Sequence, residues 1–532
     1  TISRHIITGF PSSSANSHTS ILTGCYAGKN DLVFEKYWNL LGNKPKYVMT
    51  SQITPSALSD FNKKYINQDC KTLFEYVDDS ASFHLINRGA DFKLFTLGNI
   101  VKSFLPLFLK MRKTDKPGAV SPIDNPKVWR SLFKKHIPRY LKKVKKKGSL
   151  PRATFIIFLL SDANAHLFGF DSDEYFEAVS VLDYCIKLMV EGYDVNGKHV
   201  EGLKELEFLD SIVWNINTDH SGKLCKRDQY IMLNAFLEAE LGLRLVDGLE
   251  MKEGEKPIKR LRGDYSKVNA FASINSEHAD FWFQDGNAAK QELESFKMFH
   301  GESLFRSVIP RNEALNGSKE PFDLIAFLLA KKYVHLLLIP ESGASSPPRN
   351  DVPRIEQPIP REYSIRVLSA RGSGRIWRKF DAEHGIQYKY EITKSDDPLE
   401  YGRVGLEYGE FHGHQDWLKH TAEHELPDVF HRVFGTFDAK YAPNFIVTSA
   451  FDYRFCSRLD AFHKALRNTQ THGGLNSIES VVPAIFAGPG IQKGGEIEAG
   501  RNIDIMPTLL HALGVEYNSS RIDGKPMFTV FD

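Results

Sequence analysis

The segment Ala153-Thr-Phe-Ile-Ile-Phe-Leu-Leu160 constrains the fold more than any other stretch of this chain. It follows the breaker Gly148-Ser-Leu-Pro151 and is apolar almost throughout, without alternating dry and wet positions. Such a run predicts a strand covered on both faces, as in a parallel sheet. A helix should come next. Asp171 or Ser172 caps it, Tyr175, Val179, Leu182, Ile186 and Met189 form its apolar stripe, and Gly192 stops it. Ser211–Asn217 (SIVWNIN), Asn444–Ser449 (NFIVTS) and Val481–Ala487 (VVPAIFA) predict further strands. Pro483 has no N–H to give a ladder, which puts the last of them near an edge or a bulge. Asn502–Leu513 reads as a short helix, with Asp504 near its start and Gly514 past its end. Strands and helices in this order predict an α/β core.

The middle of the chain reads differently. Residues 343–360 are rich in Pro, Gly and Ser, the composition of a linker or long loop. Arg371-Gly-Ser-Gly374 between β-rich flanks predicts a hairpin within Ser364–Arg378, and Tyr388–Ile392 predicts another strand. The chain therefore reads as a core in two parts, 1–235 and 436–532, split by an inserted, partly antiparallel cap at 236–435 that selects the substrate.

Composition narrows the function. With 532 residues, 42% of them hydrophobic and 25% charged, the chain is neither disordered, collagen-like nor a coiled coil. A formal net charge of +2 gives no global field for gathering nucleic acid or anionic membrane. The lysine run Lys142–Lys147 has no aromatic residue interleaved, so it reads as a solvated face and no specific nucleic-acid partner is predicted. The most apolar long stretch, Leu94–Leu109, is broken by Asn99, Lys102 and Pro106, so no transmembrane segment is predicted. Cys25, Cys70, Cys185, Cys225 and Cys456 are scattered and odd in number, which predicts no disulfide framework and favours a reducing, cytoplasmic compartment. The chain opens on Thr1 with no signal-peptide pattern, which reads as a processed or incomplete front end.

Four segments carry chemistry. The first predicted strand runs into Ser161-Asp162-Ala-Asn-Ala-His166, the second into Thr218-Asp219-His220-Ser-Gly222. Thr471-His472-Gly-Gly474 comes shortly before Val481, and Phe10-Pro-Ser-Ser-Ser14-Ala-Asn-Ser-His18 to Gly24 lies near the start. Ligands of open α/β sheets gather at the carboxyl ends of strands, where Asp162, His166, Asp219 and His220 could converge. Carboxylates and imidazoles without thiolates suit a hydrolytic site for Zn²⁺ or a similar divalent ion. The Ser-rich segment offers a hydroxyl nucleophile before a helix start, which favours an anionic oxygen and the phosphate it attacks. Each piece alone also fits a capped turn. Their order, spacing and strand placement in combination do not.

That combination resembles the alkaline phosphatase superfamily, most closely its type I phosphodiesterase and nucleotide pyrophosphatase branch. In its nucleophile segment a Ser or Thr lies ten positions before the Gly of a Thr-Gly pair, which here is Gly24 and points to Ser14. Asp162-x-x-x-His166 with Gly169 is similar to the family's Asp-x-x-x-His motif, and Asp219-His220-Ser-Gly222 to its Asp-His-Gly-Met motif. His472 matches the late metal histidine, and Asp183 a recurring position behind the first motif. Gly488-Pro-Gly490 and Asp504 to Gly514 resemble the usual closing segment. The resemblance implies a doubly wound, mostly parallel sheet with helices on both faces, plus a large α+β insertion. It implies two divalent ions, Zn²⁺ or alternatively Mn²⁺, one held by Asp162, His166 and His472, the other by Asp219, His220 and Ser14. It also implies cleavage of a small-molecule phosphoester, foremost a phosphodiester, through a phosphoserine on Ser14. Family members carry another metal-binding Asp on a first strand ahead of the nucleophile. This chain has no Asp before Asp31, so that strand and its ligand read as missing.

Other readings compete. A phosphotransferase or mutase on the same scaffold would pass the phosphoryl group to an alcohol, and a non-catalytic binding protein would keep the fold with an incomplete metal site. Residues 412–431 hold His412, His414, His420, His424 and His431, and His420-x-x-x-His424 would share one helix face. Without a third ligand, a polar helix face is the better account. Phe281, Trp282, Phe283 and Trp377 could stack on a base or lipid but read first as core.

Overall fold

The computed structural model describes residues 1–33, 66–84, 86–93, 125–195, 197–225, 270–283, 323–341, 362–440, 442–456 and 469–532, with shorter pieces at 36–39, 44–47, 62–63, 229–233, 237 and 245–247. Strand β1 (Ile2–Ile7) leads to helix α1 (Ser14–Thr23). Strand β2 (Ser80–Phe83), helix α2 (Pro126–Lys147), strand β3 (Ala153–Ile156) and helices α3 (Leu160–Phe168) and α4 (Asp173–Glu191) follow. After them come strands β4 (Trp214–Asn217), β5 (Lys223–Leu224), β6 (Ala270–Ile274), β7 (His278–Phe283), β8 (Val334–Glu341), β9 (Glu362–Leu368), β10 (Gly372–Asp381) and β11 (Gly385–Ser395). Helices α5 (His414–Thr421) and α6 (Val429–Phe437), strands β12 (Phe445–Ser449), β13 (Gln470–Thr471) and β14 (Val481–Ala487), and helix α7 (Ile505–Ala512) close the chain. The Leu94–Leu109 run and the 343–360 loop lie outside the described residues. No helix among the described residues is long and apolar enough to cross a membrane.

The apolar run behaves as expected over half its length. β3 pairs in parallel with β2, itself parallel to Phe92–Lys93. Ala81 and Phe83 of β2 pack toward α2 and α4, while Ala153 of β3 packs with Leu22, Met506 and Leu510 on the other side. The strand stops at Ile156, and Leu160 already begins α3. Asp162 in the first turn favours that helix by its charge at the positive end of the dipole. Ser172 caps α4 as predicted, and the stripe that is buried is Ala178, Val181, Cys185, Leu188 and Met189. Small Ala178 and Cys185 let the helix approach α2, leaving Val179 exposed. The lysines of the 142–147 run are exposed at the carboxyl end of α2, where their charge is favoured by the negative end of the helix dipole, and Val144 among them faces the core.

The expectation of one mostly parallel sheet with helices on both faces is corrected. Most pairings among the described residues are antiparallel. β14 lies between β1 and β4 and runs against both. Along it Val482, Ala484 and Phe486 are buried under Ile21 of α1 and Ile505 of α7, while Ile485 and Ile216 are solvent-exposed. One face is dry and the other wet, the habit of antiparallel sheets. Pro483 sits where the β1–β14 register slips between Ser3 and Ile6, the bulge its missing N–H calls for. A strand thus does precede Ser14, although it holds no carboxylate. The middle of the chain builds a nine-stranded, largely antiparallel sheet in the order 245–247, β6, β7, β12, β8, β9, β10, β11, 412–413. The β9–β10 hairpin forms around Arg371 and Gly372 as predicted, and β11 extends the strand expected at Tyr388–Ile392. Phe281 stacks on Phe445 and Trp282 donates to the Ala442 carbonyl, both in the core, and Trp377 is half-buried. The Phe283 side chain lies outside the described residues.

Two buried charges weld the C-terminal segment to this sheet's helices. Arg501 Nε and Nη2 donate to Asp428 at 2.6 and 2.8 Å, and Nη2 also to the His414 carbonyl. Both side chains are essentially inaccessible. Arg501→Met should lower stability in urea by about 3–5 kcal/mol, because it strands a buried carboxylate, and adding Asp428→Leu should recover most of that loss. A double variant no more stable than the single would refute the pairing. Burial, reinforced by Arg139 and Lys135, pushes the pKa of His136 on α2 down to about 4. The unfolded chain takes up this proton near pH 6.5, so stability should drain away as pH falls from about 6.5 through about 4. His136→Leu should reduce the drop in urea midpoint between pH 7 and pH 5; an unchanged drop would locate the effect elsewhere.

Candidate active site

The antiparallel run of β14 against β1 and β4 sets the site. Its first residues lie beside the last residues of the other two, with Ile7 opposite Val481 and Asn217 opposite Ala484. Ser14 follows β1, Asp219 and His220 follow β4, and His472 precedes β14, so the three segments meet at one edge. Asp162 and His166 arrive separately, one turn apart on α3. α3 is tied to the edge by the Thr469 N–H, which donates to the His166 carbonyl at 2.8 Å. Ser14 is the first residue of α1, and no side chain caps that helix start. Gly24 ends α1 at φ +64°, where any side chain would also strike Ile522 and Met506 within 2.8 Å.

All six predicted residues come together. Ser14 Oγ lies 3.0 Å from His220 Nε2, and Asp219 Oδ2 lies 3.4 Å from the same nitrogen. His166 Nε2 is 3.4 Å from Asp162 Oδ1 and 3.1 Å from His472 Nε2. The rings of His220 and His472 stack with centroids 3.8 Å apart. Ligand atoms of Asp162, His220 and His472 fall within 4.8 Å of one another, a grouping that crosses the two sets implied by the sequence.

Three carbonyls fix the tautomers. His472 Nδ1 meets the Ser12 carbonyl at 3.1 Å, His220 Nδ1 the Ser221 carbonyl at 3.0 Å, and His166 Nδ1 the Gln470 carbonyl at 3.1 Å. A carbonyl only accepts, so each Nδ1 carries the hydrogen, and each ring in its neutral form turns an Nε2 lone pair inward. His166 and His472 then face each other lone pair to lone pair. That arrangement calls for a cation between them, and a donor set of nitrogen and carboxylate oxygen suits Zn²⁺ or Mn²⁺. Burial, with the nearby His220 and His166, holds the His472 pKa well below the usual range, so the ring stays neutral. Burial opposes the charge on Asp219, but His220, His18 and the Ser14 hydroxyl outweigh it and keep its pKa well below the usual carboxylate range.

Some partners had no sequence signal strong enough to single them out. His18 Nε2 lies 3.1 Å from Asp219 Oδ2; its place four residues after Ser14 on α1 was the available clue. Gln470 Nε2 donates to Asp162 Oδ1 at 3.0 Å, and the Ser12 hydroxyl joins Gly473 and Gly474 to the loop before α1. Of the histidines of 412–431, His420 and His424 do not share a face, because α5 ends at Thr421. His414 and His431 stack with ring centroids 4.8 Å apart, but Arg501 meets His414 Nδ1 and Tyr388 meets His431 Nδ1. Asp183 lies on the exposed face of α4.

Residues 1–309, more than half of the chain, match the family described as type I phosphodiesterase / nucleotide pyrophosphatase. Murine ectonucleotide pyrophosphatase/phosphodiesterase 5 superposes over 100% of this chain and 91% of its own, at 11% identity and a TM-score of 0.50. Its inactive variant in complex with AMP covers 99% and 90% at 11% identity and 0.49. The human protein covers 99% and 90% at 10% identity and 0.47. A search of curated proteins finds no match. At such identity the murine likeness speaks for the fold, while the family match takes in Ser14, Asp162 and Asp219. The chain belongs to the type I phosphodiesterase / nucleotide pyrophosphatase family, and is a phosphodiesterase of the alkaline phosphatase superfamily.

Proposed function

We propose that the chain hydrolyses a phosphodiester of a small molecule through a phosphoserine on Ser14. The observation that carries this reading is the Ser14 hydroxyl, at the uncapped start of α1 and 3.0 Å from His220 Nε2. Ser14 Oγ attacks phosphorus, its hydroxyl proton passing by way of Asp219 to the ester alcohol that leaves. The free N–H groups of the first turn of α1 receive the phosphoryl oxygens, which favours the charge that grows on them. Water then cleaves the phosphoserine and restores the hydroxyl. Asp162, His166 and His472 would hold one divalent ion, and Asp219, His220 and Ser14 a second, with His220 also close to Asp162 and His472. Two such ions, Zn²⁺ or Mn²⁺, supply positive charge for the transferring group and lower the pKa of the attacking hydroxyl. All six residues lie in 1–235 and 436–532, which supports giving the chemistry to those parts and leaving-group selection to 236–435.

Turnover of a bis-nitrophenyl phosphodiester, compared with the nitrophenyl monoester and read beside metal content, tests the proposal. Preference for the diester is expected. Transfer to an added alcohol in place of water would favour the phosphotransferase reading, and metal uptake with no turnover the binding-protein reading. Ser14→Ala should cut diester turnover roughly a thousandfold or more while keeping most of the metal; a fully active variant would remove Ser14 as nucleophile. His472→Ala should weaken metal retention against a chelator by more than about tenfold. Equal retention in the two proteins would place the ion elsewhere.

A further inference from the structure

Behind the two histidine segments lies a cluster of charges that the proposed chemistry does not use. Lys223 Nζ sits 2.6 Å from Glu277 Oε2 and 3.5 Å from Glu479 Oε1, and donates to the Phe451 carbonyl at 2.8 Å. The three side chains are 0–4% exposed. Burying one ammonium and two carboxylates costs solvation that their attraction only about offsets, so stability alone gives no reason for them.

Their attachments do. Lys223 lies in β5, three residues after His220, and pairs across to Thr471, the neighbour of His472. Glu479 holds both segments at once. Its backbone carbonyl accepts the Ser221 N–H at 3.0 Å, beside His220, and its Oε2 accepts the Gly474 N–H at 2.6 Å, two residues after His472. Position 474 must be glycine for this contact, because a Cβ there would stand 2.7 Å from Glu479 Oε2.

We infer that Lys223 and Glu479 are positioning residues, their buried ion pair setting the spacing of the His220 and His472 segments and so the gap between the two Nε2 atoms. The inference rests on the reading of those histidines as metal ligands. Neither residue touches substrate. Glu277 lies nearer Lys223, but burial and then Glu479 push its pKa up to about 8, so near neutral pH the charge facing the ammonium is that of Glu479; the Ser449 hydroxyl bonds Glu277 at 2.9 Å.

Co²⁺ titration of the metal-stripped full chain, followed by its visible absorption band, tests the assignment. Lys223→Met and Glu479→Gln should each weaken Co²⁺ binding roughly ten- to a hundredfold and shift the band, with circular dichroism unchanged. Lys223→Arg, which keeps the charge, should restore most of both. Folded variants with wild-type affinity and band would overturn the inference. If Lys223→Met fails to fold, Glu479→Gln decides, since it keeps an acceptor for Gly474 and removes only the charge. A wild-type chain that takes up no Co²⁺ overturns the metal reading instead. The spacing is then read from the imidazole NMR signals of His220 and His472, and signals identical in wild type and Glu479→Gln would overturn the inference.

Discussion

Three backbone carbonyls determine what the centre of this protein can do. Those of Ser12, Ser221 and Gln470 take the Nδ1 hydrogens of His472, His220 and His166, and thereby aim three Nε2 lone pairs at one small volume. None of the three carbonyls is catalytic, and each belongs to a segment with its own reason to be where it is. Ser12 lies in the turn between β1 and α1. Ser221 is fixed by Glu479, and Gln470 belongs to β13. Loss of any one would free an imidazole to present its hydrogen instead of its lone pair, and a cation would meet a donor.

The surroundings keep these carbonyls in place with buried cations that bind backbone rather than carboxylate. Arg432 is wholly buried and donates to the carbonyls of Pro427, Gly474 and Leu475 and to the Ser480 hydroxyl. It pins the loop between His472 and β14 from below while Ser12 pins it from the nucleophile side. The near balance of 68 basic and 66 acidic residues in the sequence conceals this arrangement, because it does not tell a buried guanidinium held by carbonyls from one paired with a carboxylate.

Much of the site was legible because its chemistry is written in short motifs. Asp162 and His166 needed only a helical turn to share a face, and Asp219-His220 needed only a strand before it. Ser14 was singled out by the family resemblance, which places it ten residues before Gly24, and the left-handed conformation of Gly24 explains why a glycine stands there. Pro483 announced a bulge and a bulge is present. Sheet direction was not legible, because it depends on partners far away: nothing in VVPAIFA says that β1 and β4 will flank it. Its local alternation of buried and exposed positions was there to be read, but the apolar Ile485 on the wet face blurred it. The dense histidines of 412–431 teach the converse. Number and spacing alone did not make a site: α5 ends at Thr421 between His420 and His424, and the stacked His414 and His431 are engaged by Arg501 and Tyr388.

The pairing of Ile7 with Val481 also governs when the centre can come into being. Ser14 lies several hundred residues ahead of His472 and of the strand that holds β1 and β4 together. Contacts so remote in sequence are slow to close and form after local helices such as α2 and α4. Until β14 docks between β1 and β4, Ser14 therefore stands apart from His220 and His472. The grouping of these side chains is a late product of folding that no local element reaches alone.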